Sequence, residues 1–155
     1  MTLLDPPPVK TEKSRAMAFT VAFVTVAVMV VLWLAFRYYP EERAAKRFFT
    51  ALAAGNTDLA YKLWKPAPSY SMKDFLADWG PEGYYGPVKS YEILKTCAPD
   101  ASNTVDVSVA VSPFSPMPQP GDAEKSRKTK VVSVWVVTRD KSLSFPPGPV
   151  SCHFL

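Results

Sequence analysis

The sequence predicts one transmembrane helix followed by a single α+β domain, and three patterns lead to that prediction. An uncharged apolar run of 21 residues occupies positions 16–36, apolar residues at helical spacing follow it, and strand patterns begin near position 88, with alternating valines over residues 105–111. The 155-residue chain is long enough for one domain beside such a helix, and its 48% apolar and 21% charged residues exclude a wholly disordered protein. Helices that precede a run of strands are typical of the α+β class.

The apolar run predicts a membrane span. A helix over residues 16–36 is about 31 Å long, close to the thickness of the hydrocarbon core. Trp33, Tyr38 and Tyr39 lie where an interfacial aromatic belt falls. The main alternative is a cleaved signal peptide, whose shorter apolar region ends in small residues. Because this run ends in aromatic residues and Arg37, we expect an uncleaved signal anchor.

The segments that flank the span predict a disordered tail before it, but they do not predict its orientation in the membrane. Residues 1–15 are polar, contain a run of three prolines and predict a disordered tail. Three Lys or Arg residues precede the span and four follow it closely, so the positive-inside count does not choose an orientation.

The cysteines indicate on which side of the membrane the domain lies. Cys97 and Cys152 are the only cysteines, and both follow the span. A disulfide between them requires an oxidising compartment and stabilises the fold by about 4–5 kcal/mol in the chain-entropy model. The alternative is a pair of buried thiols in a reducing cytoplasm. We expect the bridge, and therefore a single-pass protein of the inner cell membrane, with a cytoplasmic N-terminus and a periplasmic domain.

Residues 41–155 are predicted to form the α+β domain, which opens with three helices. Proline, cap residues and glycine mark helix ends because of their backbone preferences. The markers are Pro40 and Gly55 for the first helix, Asn56 or Thr57 and Trp64 for the second, and Ser71 with Asp74 for the opening of the third.

The second half of the domain predicts antiparallel strands. Residues 88–97 form the first, and the alternation over residues 105–111 indicates a half-buried second strand with Asp106 on its solvent face. Residues 130–138 are apolar on both faces, which favours a central strand. Residues 143–145 begin a short last strand. The long proline-rich loop between the second and third strands is typical of a binding surface or of simple disorder.

Residues 45–64, which read AKRFFTALAAGNTDLAYKLW, resemble the opening of nuclear-transport-factor-2-like (NTF2-like) and cystatin-like domains. The resemblance implies a long helix and a short helix that cradle a curved antiparallel sheet. It also implies a likeness to membrane-anchored bacterial proteins of unknown function. Such folds include enzymes, ligand binders and interaction modules, so the fold alone does not give the function.

Catalytic, metal and nucleic-acid sites find little support in the sequence. His153 is the only histidine, no Cys-x-x-Cys motif occurs, and no acid is paired with a histidine at a useful spacing, so we expect no cofactor and no metal. A buried, perturbed carboxylate stays open as the basis of an enzyme. A net charge of +4 without a dense basic face argues against nucleic acid. The basic run at residues 125–130 is expected to be a solvated loop rather than a lipid contact.

Four aromatic residues are the tentative ligand or partner contacts. Tyr84 and Tyr85 lie between Gly and Pro residues on a loop, which favours a partner surface or the lip of a pocket. Trp64 and Trp79 can line an apolar pocket, although a core position is the simpler interpretation.

The function expected from these observations is a non-catalytic interaction or small-ligand-binding module anchored in the membrane, for example an accessory subunit of a larger membrane complex. Its partners are then the lipid bilayer and either a membrane protein or a second copy of the chain. Two alternatives stay open: an enzyme that uses a pocket carboxylate, and a self-associating structural membrane protein.

Overall fold

The computed structural model describes residues 12–99 and 103–150, with side chains from Met17 onward. The chain divides into two compact units after Arg37. Most of the predicted disordered tail, together with Cys152 and His153, lies outside the described residues.

The first unit is one long apolar helix, α1, over Glu12–Phe36. It contains the whole predicted span and begins four residues earlier. Its described side chains are exposed, Phe19 and Phe23 among them. By length and composition this helix is able to cross a membrane.

The second unit is an α+β domain, as the sequence predicts. Three helices precede four antiparallel strands, which pair in the order β1-β2-β3-β4 as a meander. The strand predicted to be central, β3, pairs with β2 on one side and β4 on the other. The elements are α2 (Tyr39–Ala53), α3 (Thr57–Trp64), α4 (Met72–Trp79), β1 (Ser90–Cys97), β2 (Thr104–Ser112), α5 (Ala123–Arg127), β3 (Lys130–Val137) and β4 (Leu143–Ser144).

The turn between α2 and α3 shows why these residues end one helix and begin the next. Gly55 has a φ of +74°, a left-handed conformation that suits glycine, and its N–H donates to the Leu52 carbonyl at 2.9 Å. The Asn56 N–H donates to the Ala51 carbonyl, which completes a Schellman ending. Asn56 Oδ1 then accepts from the Leu59 N–H at 3.0 Å and caps α3.

The opening of α4 confirms the predicted capping box. The Ser71 side chain accepts from the Asp74 N–H, and the Asp74 carboxylate accepts from the Ser71 N–H at 2.9 Å. The Ser71 hydroxyl also donates to the Asp74 carboxylate at 2.6 Å, and this bond together with the one from the Ser71 N–H lowers the pKa of Asp74. Two orphan backbone donors are thereby satisfied at an exposed helix end.

The core lies between the helices and one face of the sheet. Phe48 of α2 is fully buried, and its ring centroid lies 5.1 Å from that of Trp64 in α3 and 5.2 Å from that of Trp79 in α4. The alternate valines of the two inner strands form the opposing surface of the same core. They are Val105, Val107, Val109 and Val111 of β2, with Val132, Val134 and Val136 of β3.

The predicted solvent position of Asp106 is wrong, since only 2% of this residue is exposed. Because β2 lies between two strands, Asp106 has a neighbour on each side, Cys97 on β1 and Trp135 on β3. Residues along β2 therefore alternate between an apolar face, which carries the valines, and a second face, on which Asp106 is buried. The loop after β2 also differs from simple disorder, because it contains the short helix α5.

Truncating Phe48 is expected to remove the contacts that join α2 to α3 and α4. We expect Phe48→Ala to lower the free energy of unfolding by about 3–5 kcal/mol, measured by chemical unfolding of the detergent-solubilised full chain. Leu59→Ala, at an exposed position of α3, is the control and should change it by about 0.5 kcal/mol or less. Equal losses for the two variants would contradict this packing.

Candidate functional site

A groove of about 420 Å³ lies open beside the first turns of α2. We call it the cationic groove, because Arg43, Arg47, Lys65 and Lys141 line it. Asp140 is the one carboxylate among its lining residues. Its volume falls within the range of small-ligand pockets.

Lys141 joins the β3–β4 turn to the beginning of α2. Its Nζ lies 2.5 Å from Glu41 Oε1 and donates to the Thr138 carbonyl at 2.7 Å. Glu41 is only 4% exposed, and its Oε2 has no partner among the described residues. This carboxylate lies in the first turn of α2, where the helix dipole also favours negative charge. The ion pair therefore fixes one wall of the groove.

Lys65 joins the end of α3 to the same turn. Its Nζ donates to the backbone carbonyl of Asp140. The carboxylate of Asp140 accepts from the Ser142 N–H at 3.1 Å and from the Ser142 hydroxyl at 2.8 Å, and these bonds lower the pKa of Asp140. Asp140 thus stays ionised, with its carboxylate directed to Ser142.

Arg43 and Arg47 are exposed on α2 and lie one helical turn apart, on the same side of the helix. Within residues 17–99 and 103–150, neither guanidinium makes an ion pair or a hydrogen bond. In the sequence, both arginines belong to the positive charge that closely follows the span. Their i, i+4 spacing was the available signal, whereas Lys65 and Lys141 reach the groove only through tertiary folding.

The four aromatic residues proposed from the sequence separate into buried and exposed positions. Trp64 and Trp79 are core residues, and the Trp79 ring stacks on Tyr85 with centroids 4.9 Å apart. Tyr85 also stacks on Phe145, and burial together with the nearby Tyr84 raises the pKa of Tyr85. None of the four residues lines the cationic groove.

Tyr84 alone of the four is well exposed, at 67%. Lys130 lies over its ring, with Nζ 4.4 Å from the centroid, and also donates to the Tyr84 carbonyl. Gly80 and Gly86 approach each other so closely that a Cβ on Gly86 would lie 1.7 Å from the Gly80 carbonyl oxygen. This glycine requirement fixes the loop that presents Tyr84, whose role as a partner contact stays a prediction.

Asp106 is the buried, perturbed carboxylate that the sequence left open. Its Oδ2 accepts from the hydroxyls of Ser108 and Ser133, both at 3.3 Å, while Oδ1 has no partner among the described residues. Burial raises the pKa of Asp106, against the smaller opposing effects of the two serines and Lys95. The residue lies on the sheet face opposite the aromatic core and outside the cationic groove.

Cys97 ends β1 and is disulfide-bonded. Its predicted partner, Cys152, lies outside the described residues, so the pairing stays a prediction. Among the residues whose side chains the structure describes, no three His, Cys, Asp or Glu residues come together in a way that could hold a metal ion.

Tyr84 and Tyr85 are expected to respond differently to truncation. Tyr85→Ala removes the stacks on Trp79 and Phe145 and should lower the free energy of unfolding by about 1–3 kcal/mol. Tyr84→Ala should leave the melting temperature nearly unchanged, because its ring is exposed. Differential scanning fluorimetry measures the melting temperatures of the two variants. A larger decrease for Tyr84→Ala than for Tyr85→Ala would contradict the exposed position of Tyr84.

Asp106 is expected to make stability depend on pH. An unfolded carboxyl titrates near 3.8, and the folded one titrates higher, so the folded state binds the proton more tightly. The contribution of Asp106 to the free energy of unfolding therefore falls as pH rises through this window. Asp106→Asn should be more stable than the parent chain at pH 7, with a difference that shrinks towards pH 4 in thermal unfolding. A pH-independent difference would contradict the buried carboxylate.

Comparison with protein-family models, curated proteins and solved structures found no match for this chain. The candidate site therefore rests on the geometry and charge of its own residues.

Proposed function

We propose that this protein is a single-pass membrane protein whose domain is a non-catalytic interaction or small-ligand-binding module. The observation that carries the proposal is the helix α1, which is long and apolar enough to span a bilayer. The described side chains of α1 are exposed. Such a surface is unfavourable in water and is matched by lipid. The cationic groove supplies a concave surface for a ligand or partner.

The domain belongs, in this proposal, to the NTF2-like class. Residues 45–64, which carry the resemblance, form most of α2 and α3, and the helices pack on one face of an antiparallel sheet. The space between helices and sheet, where such folds hold ligands, is filled here by the rings of Phe48, Trp64 and Trp79. The groove at the edge of the helix layer is therefore the better ligand site.

The proposed orientation places the N-terminus in the cytoplasm and the domain on the periplasmic side of the inner membrane. The disulfide at Cys97 supports it, because disulfides persist in oxidising compartments. An accessory subunit of a larger membrane complex is one form of this role, and a homo-oligomer is the other.

An enzyme is the second candidate, and Asp106 favours it as a buried carboxylate with a raised pKa. Its placement argues for a structural role instead, since it lies outside the groove and is hydrogen-bonded to Ser108 and Ser133.

Membrane fractionation with intact-mass measurement tests the anchor. We expect the native protein to stay in the pellet after alkaline carbonate extraction and to retain its N-terminus ahead of α1, because an uncleaved apolar helix holds it in the bilayer. Mild detergent should then release it with a stoichiometric partner or as a homo-oligomer. A protein extracted by carbonate, or a mature N-terminus beyond Arg37, would refute the anchor.

A further inference from the structure

The cationic groove carries positive charge that the described residues do not neutralise. Its lining has four cations and one carboxylate, and the one cation in an ion pair is Lys141, which is bound to Glu41. The carboxylate of Asp140 accepts from Ser142 rather than from the cations around it. The guanidinium groups of Arg43 and Arg47 therefore stay available to an anion. Arginine donates in a planar fork that matches phosphate oxygens.

Backbone strain coincides with this groove. Among residues 12–99 and 103–150, the non-glycine residues with positive φ are Lys65, at 50°, and Lys141, at 58°. Both line the groove, and both use Nζ to join neighbouring elements there. Strained conformations of this kind concentrate at binding sites, where the surrounding structure holds them in place.

The remaining lining of the groove is largely apolar, and two of its residues, Tyr39 and Pro40, follow α1 closely in the chain. Tyr39 and Pro40 line it together with Leu63 and Leu143, so that cationic and apolar surfaces lie side by side. Tyr39 follows Phe36, the last residue of α1, by three positions, and the chain between them reaches about 11 Å at most. A ligand that meets both surfaces combines a negative headgroup with an apolar body.

We propose that the cationic groove binds the phosphate-bearing headgroup of an anionic phospholipid from the bilayer that α1 spans. Arg43 and Arg47 contact the phosphate, Lys65 supplies further positive charge, and the apolar lining contacts the glycerol and upper acyl region. This assignment rests on the proposed membrane anchor, and it adds the ligand class to it. Basic residues next to a membrane each strengthen the binding of anionic lipid.

Native mass spectrometry of the full chain in detergent micelles tests the assignment. The protein is titrated separately with phosphatidylglycerol, with phosphatidylcholine and with inorganic phosphate as a competitor. We expect one phosphatidylglycerol to bind about tenfold more tightly than phosphatidylcholine, because only its headgroup has net negative charge. Inorganic phosphate should leave the bound lipid in place, since it lacks the apolar contacts.

Matched charge removal assigns the binding to the groove. R43Q/R47Q should weaken phosphatidylglycerol binding about tenfold and phosphatidylcholine binding less, because the choline group already balances the phosphate charge of phosphatidylcholine. R127Q/K128Q, which removes the same charge from exposed positions at the end of α5, should keep the parent affinity. Near-ultraviolet circular dichroism checks that both variants are folded, and the headgroup comparison on the parent chain does not depend on either.

Three results would overturn the proposal. They are equal binding of the two lipids, displacement of the lipid by inorganic phosphate, and equal losses in the two double variants. If the protein still remains in carbonate-extracted membranes, the lipid site fails while the anchor stands. If the protein is extracted by carbonate, the anchor itself fails.

Discussion

The packing of Phe48 is the interaction on which the domain depends most. Its ring meets Phe49 in its own helix, Trp64 in α3, and both Phe75 and Trp79 in α4, with centroids 5.0–6.2 Å apart. Aromatic pairs at these distances stabilise beyond the area that they bury. Because this cluster fixes the rotation of α2, it also decides which residues of α2 face outward, and it thereby exposes the two arginines of the cationic groove.

Much of the fold follows from local sequence patterns. The helix boundaries at Gly55, Asn56 and Ser71 were predictable because each residue satisfies backbone groups of its own neighbours. Alternating valines predicted β2, a valine-rich run that is apolar on both faces predicted β3, and the uncharged apolar run predicted α1. Such signals depend on residues close in sequence, so one chain suffices to detect them.

The candidate site was much less predictable, because it depends on tertiary placement. Lys65 and Lys141 are 76 positions apart, and only the pairing of β3 with β4 and the packing of α3 bring them to one groove. Asp106 shows the same limit, since its alternation with valines indicated a solvent face while strands on both sides bury it. The aromatic pattern likewise could not distinguish Tyr84, which is exposed, from Tyr85, which is stacked on the core.

Helix α2 has two roles in this proposal, because one face completes the core and another carries charge for a membrane ligand. Hydrogen–deuterium exchange of the full chain in nanodiscs tests both halves of this claim at once. We expect the amides of α1 to exchange slowly in any bilayer, and those of the first turns of α2 to slow further when phosphatidylglycerol replaces phosphatidylcholine. Fast exchange along α1, or an α2 that is indifferent to the headgroup, would contradict the account.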